Sequence, residues 1–310
     1  MKKNKLFIGA LALLMAFTTA CSSKTENTTT TSQDKDTFTY AINSDPSSTN
    51  PINVSDRWGL TMTNMIYSPL IRVEGDGSLV NELAESTELA KDGLSLTVNL
   101  KKGIKWSDGQ DFTADDVVFT YETKAKKENG NFKSLWINDK PITVEKKDDH
   151  TVVFKFPEPS AAAANNIATE TYIIPKHIYG NVSDFSVKDL QEKPVGTGPY
   201  KLVENKRGEY IKFEANENYY KGKPKVKNVV LRVIQSADTT KVALQKGEID
   251  ASYVLPTDIK DLDTNKLDVY SYSENRIGYL GLNTKTNELK DVKVRQAILY
   301  ALNKGDMNKA

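Results

Sequence analysis

Short strand patterns, interrupted by a few helical ones, set the strongest limit on how this chain can fold. Apolar residues alternate strictly with others over 94–100, which predicts a half-buried strand. Asp108-Gly109 is a tight-turn signal, and Thr113–Asp116 has the pattern of a helix N-cap with an acidic residue three positions on. This stretch therefore predicts a strand, a turn and a capped helix over 114–127.

The rest of the chain continues the mixture without internal repeats, which predicts the α/β class in a mixed α+β arrangement. Alternating or continuous apolar runs predict further strands at 37–42, 104–106, 151–156, 200–203, 210–214, 226–233, 269–272 and 277–282. Looser periodicity predicts further helices from Trp58 up to Pro69 and over 161–167, 238–246 and 292–302. Hairpins are expected around 147–149 and 207–208.

Composition excludes several classes of function. The 42 Lys and Arg residues nearly balance 41 Asp and Glu, which is unlike the basic face of a nucleic-acid-binding protein. One Cys and two His leave little for a zinc site or a Cys/His nucleophile. The sequence has no dinucleotide-binding, phosphate-loop, nucleophile-elbow or zinc-protease motif. We therefore expect no catalytic residue, no metal, no cofactor and no nucleic-acid partner.

The amino terminus has the pattern of a targeting signal. A basic start, Met1–Lys5, precedes the apolar run Leu6–Phe17, whose 12 residues are fewer than the about 17–25 of a membrane-spanning helix. Thr18–Cys21 then resembles the lipobox of bacterial lipoproteins, although Thr18 stands where Leu is usual. An ordinary secretory signal with an incidental Cys is the alternative.

The residues after this motif favour the lipoprotein. They are polar, rich in Thr and free of apolar side chains up to residue 36, so they cannot bury enough surface to order themselves. We expect a signal peptide over 1–20, a lipid attached to Cys21 and a flexible tether over 21–36. Such a protein is anchored to the membrane from outside without spanning it.

Eight motifs in order carry a family resemblance. Four stretches are prominent, namely IKWSDGQDFTADDV (104–117), PVGTGPY (194–200), GEID (247–250) and VRQAI (294–298). Four shorter ones support them, namely IYSPL (66–70), ELAES (82–86), PKH (175–177) and YLGLN (279–283). Over about residues 37 to 303, they resemble the family 5 solute-binding proteins of ABC importers, which include oligopeptide-, dipeptide- and nickel-binding lipoproteins.

The resemblance implies a periplasmic-binding-protein-like class II fold of two lobes with an inserted extra domain. Lobe I would comprise 37–59 and 174–275, the inserted domain 60–173, and the start of an incomplete lobe II 276–310. Family members continue for about another domain's length. We therefore expect a fragment of a longer receptor, rather than a shortened protein with another role, and we expect it to bind ligand poorly.

The function implied by the resemblance is that of an extracytoplasmic substrate-binding lipoprotein. It would capture oligopeptides by backbone hydrogen bonds in the cleft between the lobes and deliver them to the permease and ATPase subunits of an ABC importer. It would be a monomer, lipid-anchored to a membrane of the Gram-positive type, and not an enzyme. Nickel or sugar ligands, adhesion or peptide-pheromone sensing, a secreted hydrolase and a non-binding fragment are the alternatives.

Ligand-contacting candidates follow from their expected positions beside the cleft. In the family a carboxylate of the second lobe captures the peptide amine, and no residue here matches that position. The candidates are Ser44, Asp45, Trp58, Tyr67, Trp136, Arg276 and Tyr279.

Overall fold

The computed structural model describes residues 36–129, 132–160, 163–168, 171–185, 187, 190, 192–272 and 279–307. The chain divides into two compact units, residues 1–35 and Asp36–Ala310, and all described residues belong to the second. The predicted signal peptide, Cys21, the tether up to residue 35 and the candidate Arg276 therefore lie outside the described residues.

Short strands and helices alternate along the described chain. The strands are β1 (Thr37–Ile42), β2 (Ile71–Val73), β3 (Leu79–Asn81), β4 (Ala84–Leu89), β5 (Ser95–Leu100), β6 (Trp136–Ile137), β7 (Lys140–Pro141), β8 (Thr143–Asp148), β9 (Thr151–Lys155), β10 (Tyr200–Lys206), β11 (Tyr210–Ala215), β12 (Asn228–Val233) and β13 (Ala251–Ser252). The helices are α1 (Arg57–Ile66), α2 (Ala114–Lys124), α3 (Ala163–Ala168), α4 (Lys176–Tyr179), α5 (Ala237–Gln245), α6 (Val292–Ala301) and α7 (Lys304–Met307), with 3₁₀ turns at Phe132–Leu135 and Pro256–Asp261.

A mixed five-stranded sheet joins the first strand to the later part of the chain. Its order is β10-β11-β12-β1-β13, with β1 parallel to both β12 and β13 and the remaining pairs antiparallel. Ile42, Phe213 and Leu231 from the sheet share one core cluster with Met62 and Ile66 of α1. The sheet therefore buries one face against α1.

A four-stranded antiparallel sheet, in the order β4-β5-β9-β8, forms the second core. Leu96 pairs with Phe154, and both are buried together with Val117 and Tyr121 of α2. Thr113 and the third helical residue form the predicted capping box at the start of α2. The predicted alternation and cap are confirmed, although α2 ends at Lys124 instead of 127.

Helix α1 spans the boundary that the sequence predicts between lobe I and the inserted domain. A boundary after residue 59 would cut α1, whose later residues Met62 and Ile66 pack with the five-stranded sheet, as does Tyr67. We therefore propose that α1 belongs wholly to lobe I and that the inserted domain begins after Tyr67. The other boundaries stay predictions.

Glu82 ties the second core to the loop that follows β11. Its carboxylate accepts hydrogen bonds from Arg72 Nε at 3.0 Å and from the Tyr220 hydroxyl at 2.7 Å, and it forms an ion pair with Lys221. Burial alone would raise the pKa of Glu82. The hydrogen bonds from Lys221, Tyr220 and Arg72 outweigh burial and hold the pKa below its ordinary value.

Three predicted strands differ from the structure. Residues 104–106 contribute only an isolated bridge between Lys105 and Asp111, because the chain first turns at Gly103, whose φ is +73°. Residues 269–272 and the described part of 277–282 are not strands, because alternation alone does not form a strand where no partner strand lies alongside in the described chain. In the same described ranges, no helix is both long and apolar enough to cross a membrane.

Candidate functional site

A cavity of about 580 Å³ lies at the carboxyl ends of the three parallel strands β1, β12 and β13. It is lined by residues 41–44 at the end of β1, 56–58 at the start of α1, 234–235 after β12 and 252–255 at the end of β13, together with α5. In open sheets of this kind, ligands bind in the crevice beyond the carboxyl ends of parallel strands. This cavity is therefore the candidate site.

The start of α1 is held against the cavity by its N-cap, Asp56. One carboxylate oxygen accepts from the Gly59 backbone N–H at 2.9 Å, and the other accepts from the Ser47 N–H at 3.2 Å and from the Ser47 hydroxyl. The same carboxylate therefore caps the helix and fastens the loop after β1 to it. As a result, Arg57 and Trp58 project from a fixed first turn.

An aromatic and cationic wall follows from this placement. Trp58 donates from Nε1 to Asn43 Oδ1 at 2.6 Å, and its ring centroid lies 6.2 Å from that of Tyr40. The Arg57 guanidinium carbon lies 5.8 Å from the Trp58 ring centroid and 5.1 Å from that of Tyr253. Both distances fall within the range of cation–π attraction.

Tyr40 lies behind this wall in β1. Burial is the main reason that its pKa is raised, and the nearby Tyr272 adds to the effect, while Arg57 works against it. The phenol therefore stays protonated at physiological pH.

Lys241 of α5 organises another part of the cavity lining. Its ammonium lies 3.0 Å from a carboxylate oxygen of Asp238, 3.2 Å from one of Asp261 and 3.9 Å from one of Asp258. The hydrogen bonds to Asp238 and Asp261 raise the pKa of Lys241. These contacts join α5 to the 3₁₀ turn Pro256–Asp261 beside the cavity.

The structure brings two of the sequence-predicted candidates to this cavity and places the others elsewhere. Ser44 and Trp58 line it. The Asp45 carboxylate instead accepts from the Gly208 N–H, at 3.0 Å to each oxygen, and so fastens the β10–β11 turn. Tyr67 is buried, and its hydroxyl lies 2.9 Å from that of Tyr179 within the core.

Two further candidates lie outside the cavity lining. Trp136 packs edge-on against Phe132 and donates from Nε1 to the Ala125 carbonyl at 2.8 Å, as part of the second core. Tyr279 is 87% exposed in the segment before α6. Their roles as ligand contacts stay predictions, as does that of Arg276.

Sequence reasoning did not identify Arg57, Tyr253, Lys241 and Asp258. Asp56 offered one signal, because an Asp directly before a helix is a typical N-cap and places the next residues on the first turn. Tyr253 offered none, since β13 has two residues and no periodicity. Across the described residues, no group of three or more His, Cys, Asp or Glu side chains is arranged to hold a metal ion.

Known proteins share this architecture. Residues 78–310 match the family described as bacterial extracellular solute-binding proteins, family 5 middle. The oligopeptide-binding protein AppA of Bacillus subtilis is 36% identical over 322 residues, covering 98% of this chain and 58% of AppA.

Two solved structures are similar as well. The ABC transporter substrate-binding protein CtaP of Listeria monocytogenes is 37% identical with a TM-score of 0.76, covering 86% of this chain and 54% of CtaP. NikZ of Campylobacter jejuni, solved with Ni(L-His), is 28% identical with a TM-score of 0.74, covering 89% of this chain and 55% of NikZ.

This chain thus spans little more than half the length of each relative. The matches confirm the predicted mixed α/β class of periplasmic-binding-protein type, and they are to solute-binding proteins rather than enzymes. The chain belongs to the bacterial extracellular solute-binding proteins of family 5.

Proposed function

We propose that this chain captures oligopeptides outside the cell for an ABC importer. AppA, the relative that covers 98% of the chain, is an oligopeptide-binding protein, and CtaP is a substrate-binding protein of an ABC transporter. Their similarity supports the class of ligand. The volume of the cavity, about 580 Å³, is typical of ligand pockets, which span about 300–1,000 Å³.

The observation that carries the proposal is the position of β13. This strand pairs with β1 on one side and ends the sheet, and within the described residues no strand covers its other side. The segment 252–255 continues from it along the cavity. An extended peptide adding to such an edge bonds through backbone groups, which are the same in every peptide.

The aromatic wall supplies the complementary surface. Rings such as those of Trp58 and Tyr253 offer large apolar faces that accept varied side chains, so the site combines backbone recognition with low side-chain selectivity. Capture by an interlobe cleft would further require a second wall opposite this one, and we propose that arrangement by analogy with the family.

Titration calorimetry of the purified chain with tri- to hexapeptides, extended to millimolar peptide, tests the function. Trp58→Phe replaces the indole by a smaller aromatic ring and removes the hydrogen bond to Asn43 that orients it. Less apolar surface then faces the ligand, and we expect affinity to fall about fivefold, which corresponds to about 1 kcal/mol. Tyr200→Phe is the control, since it keeps its ring and loses the hydrogen bond to the Val226 carbonyl outside the cavity lining, so it should leave affinity unchanged. Binding of Ni(L-His) without peptide binding would contradict the proposal, as would equal effects of the two variants.

The location of the protein is proposed on the sequence alone. Cleavage before Cys21 and lipid attachment to it would anchor a monomeric receptor on the outer side of the membrane, beside the permease and ATPase subunits. Intact-mass measurement of the membrane fraction should show the added lipid, and Cys21→Ser should release the protein to the medium. An unchanged membrane fraction for that variant would refute the anchor.

A further inference from the structure

Asp258 is a carboxylate of the cavity lining that the fold does not use for hydrogen bonding. Across the described residues its carboxylate accepts no hydrogen bond, and its ion pair with Lys241 spans 3.9 Å, which is longer than a hydrogen bond. Asp56 is the other carboxylate among the described residues of the lining, and its two oxygens accept from Gly59 and Ser47. Asp258 is therefore the carboxylate that can take a partner inside the cavity.

The neighbouring Lys241 does not satisfy Asp258. Its ammonium lies closer to two other carboxylates, at 3.0 Å from Asp238 and 3.2 Å from Asp261. These four side chains together carry one positive and three negative charges, so negative charge remains in excess beside the cavity. The Asp258 side chain is 26% exposed, and its partial burial strengthens the attraction for a cation relative to full exposure to water. A cationic group of a ligand would balance this excess.

We propose that Asp258 recognises an ammonium group of the bound ligand. This inference rests on the proposed peptide-binding function, because a peptide carries an ammonium at its amino terminus and on each lysine side chain. An ammonium has three N–H donors, and its hydrogen bonds to a carboxylate are shorter and about twice as strong as those between neutral groups. Trp58 and Tyr253 line the same cavity, so the apolar part of such a ligand would lie against their rings.

The position of Asp258 also gives the ligand a direction when the amino terminus supplies the ammonium. Asp258 belongs to the 3₁₀ turn Pro256–Asp261, which follows directly on the segment 252–255 at the carboxyl end of β13. A peptide whose amino terminus is held past this end, and which pairs with β13, runs back along the strand and is antiparallel to it. The contact would also fix the register, which side-chain-blind backbone contacts do not fix by themselves.

Calorimetric titration of the full chain with three matched tetrapeptides, extended to millimolar peptide, tests the inference. The first peptide has a free amino terminus and no lysine, the second is its N-acetylated form, and the third is the N-acetylated form with one lysine. We expect an ammonium-bearing peptide to bind about tenfold or more tightly than the acetylated peptide without lysine. The first and third peptides distinguish a terminal from a side-chain ammonium as the recognised group.

Variants then assign the preference to Asp258. Asp258→Asn should bring the affinities of the three peptides together, because an amide of similar size carries no charge. Asp258→Glu should keep a reduced preference, since it retains the charge on a longer side chain. Asp263→Asn is the matched control, an aspartate that lies 3.5 Å from Lys266 and outside the cavity lining, and it should leave the preference unchanged. Circular dichroism and thermal unfolding verify that each variant is folded.

The outcomes separate this inference from the function on which it rests. Binding of all three peptides with equal affinity overturns the role of Asp258 and leaves peptide capture standing. A preference that survives Asp258→Asn does the same, as does one that Asp263→Asn reduces to the same extent. Failure of every peptide to bind contradicts the proposed function and the inference together.

Discussion

Alanine at Gly196 should destabilise the protein severely, because the chain there passes against the end of α1. A Cβ atom at Gly196 would lie 1.9 Å from the Ile66 carbonyl oxygen, and one at Gly198 would lie 2.5 Å from the Ile66 carbonyl carbon. Neither glycine has a φ in the left-handed region. The sequence predicts a special backbone geometry for these glycines. The structure shows a different reason for them, since the backbone of Ile66 leaves no room for a side chain at either position.

The magnitude follows from the contacts that must separate. Real Cβ atoms essentially never approach another heavy atom within 3.0 Å, so the backbone must move by about 1 Å. That movement strains the hydrogen bonds from Gly198 N–H to the Ile66 carbonyl, at 2.8 Å, and from Ser107 N–H to the Gly196 carbonyl, at 2.9 Å. Two bonds of about 1 kcal/mol each and an overpacking penalty of about 1–3 kcal/mol give a loss of about 3–5 kcal/mol in the free energy of unfolding.

Urea unfolding followed by tryptophan fluorescence and circular dichroism measures this loss. The matched control is Gly75→Ala, because a Cβ there meets no heavy atom within 4 Å and the φ is not left-handed. We expect the control to stay within about 0.5 kcal/mol of the parent protein. A Gly196→Ala midpoint equal to that of Gly75→Ala would refute the reasoning, since the close approach would then carry no energetic consequence.

Three further substitutions test separate parts of the structure. Glu82→Gln should lower the free energy of unfolding by about 1–3 kcal/mol at neutral pH, because Lys221 loses its carboxylate partner. Since the folded-state pKa of Glu82 is depressed, its contribution is present above about pH 4 and is lost as the pH falls further, so acid titrations of the two proteins should converge. Tyr67→Phe should lose about 1–2 kcal/mol, because the buried Tyr179 hydroxyl loses its partner, while calorimetry shows unchanged peptide affinity. Asp45→Asn should lose about 1 kcal/mol in urea unfolding, because a neutral amide accepts less strongly from the β10–β11 turn.

Local patterns were sufficient where the structure depends on neighbours in sequence. The strand over 95–100, the cap at Thr113 and the helix that follows are each determined within about a dozen residues, and the sequence predicts all three. Gly247 likewise ends α5 with a φ of +70°, as its position after the helix predicts. Boundaries differ by a few residues, because the ends of elements depend on packing.

The cavity depends on contacts that no local pattern encodes. The two rings of its aromatic wall, those of Trp58 and Tyr253, come together because β1 pairs in parallel with β12 and β13, which lie far along the chain. Parallel pairing of distant strands leaves no signal in either segment alone. Residue type was also a poor guide, since Tyr67 and Trp136 are as aromatic as Trp58, yet one lies in the first core and the other packs on the second.

Helix α1 connects the contact between Gly198 and Ile66 to the candidate site. Its first turn carries Arg57 and Trp58, and its last residue, Ile66, accepts the hydrogen bond from Gly198. A Cβ at Gly198 would lie 2.5 Å from the Ile66 carbonyl carbon, so the end of the helix must move by about 0.5 Å to reach 3.0 Å. The helix has 10 residues and is therefore about 15 Å long, and if it pivots near its middle the first turn moves by a similar distance. A shift of that size is as wide as the whole range of normal N–H···O distances, about 2.7–3.2 Å. Gly198→Ala should therefore weaken peptide binding, although residue 198 does not line the cavity, whereas Gly75→Ala should not. Undiminished affinity in a folded Gly198→Ala protein would show that the first turn is held by Asp56 alone.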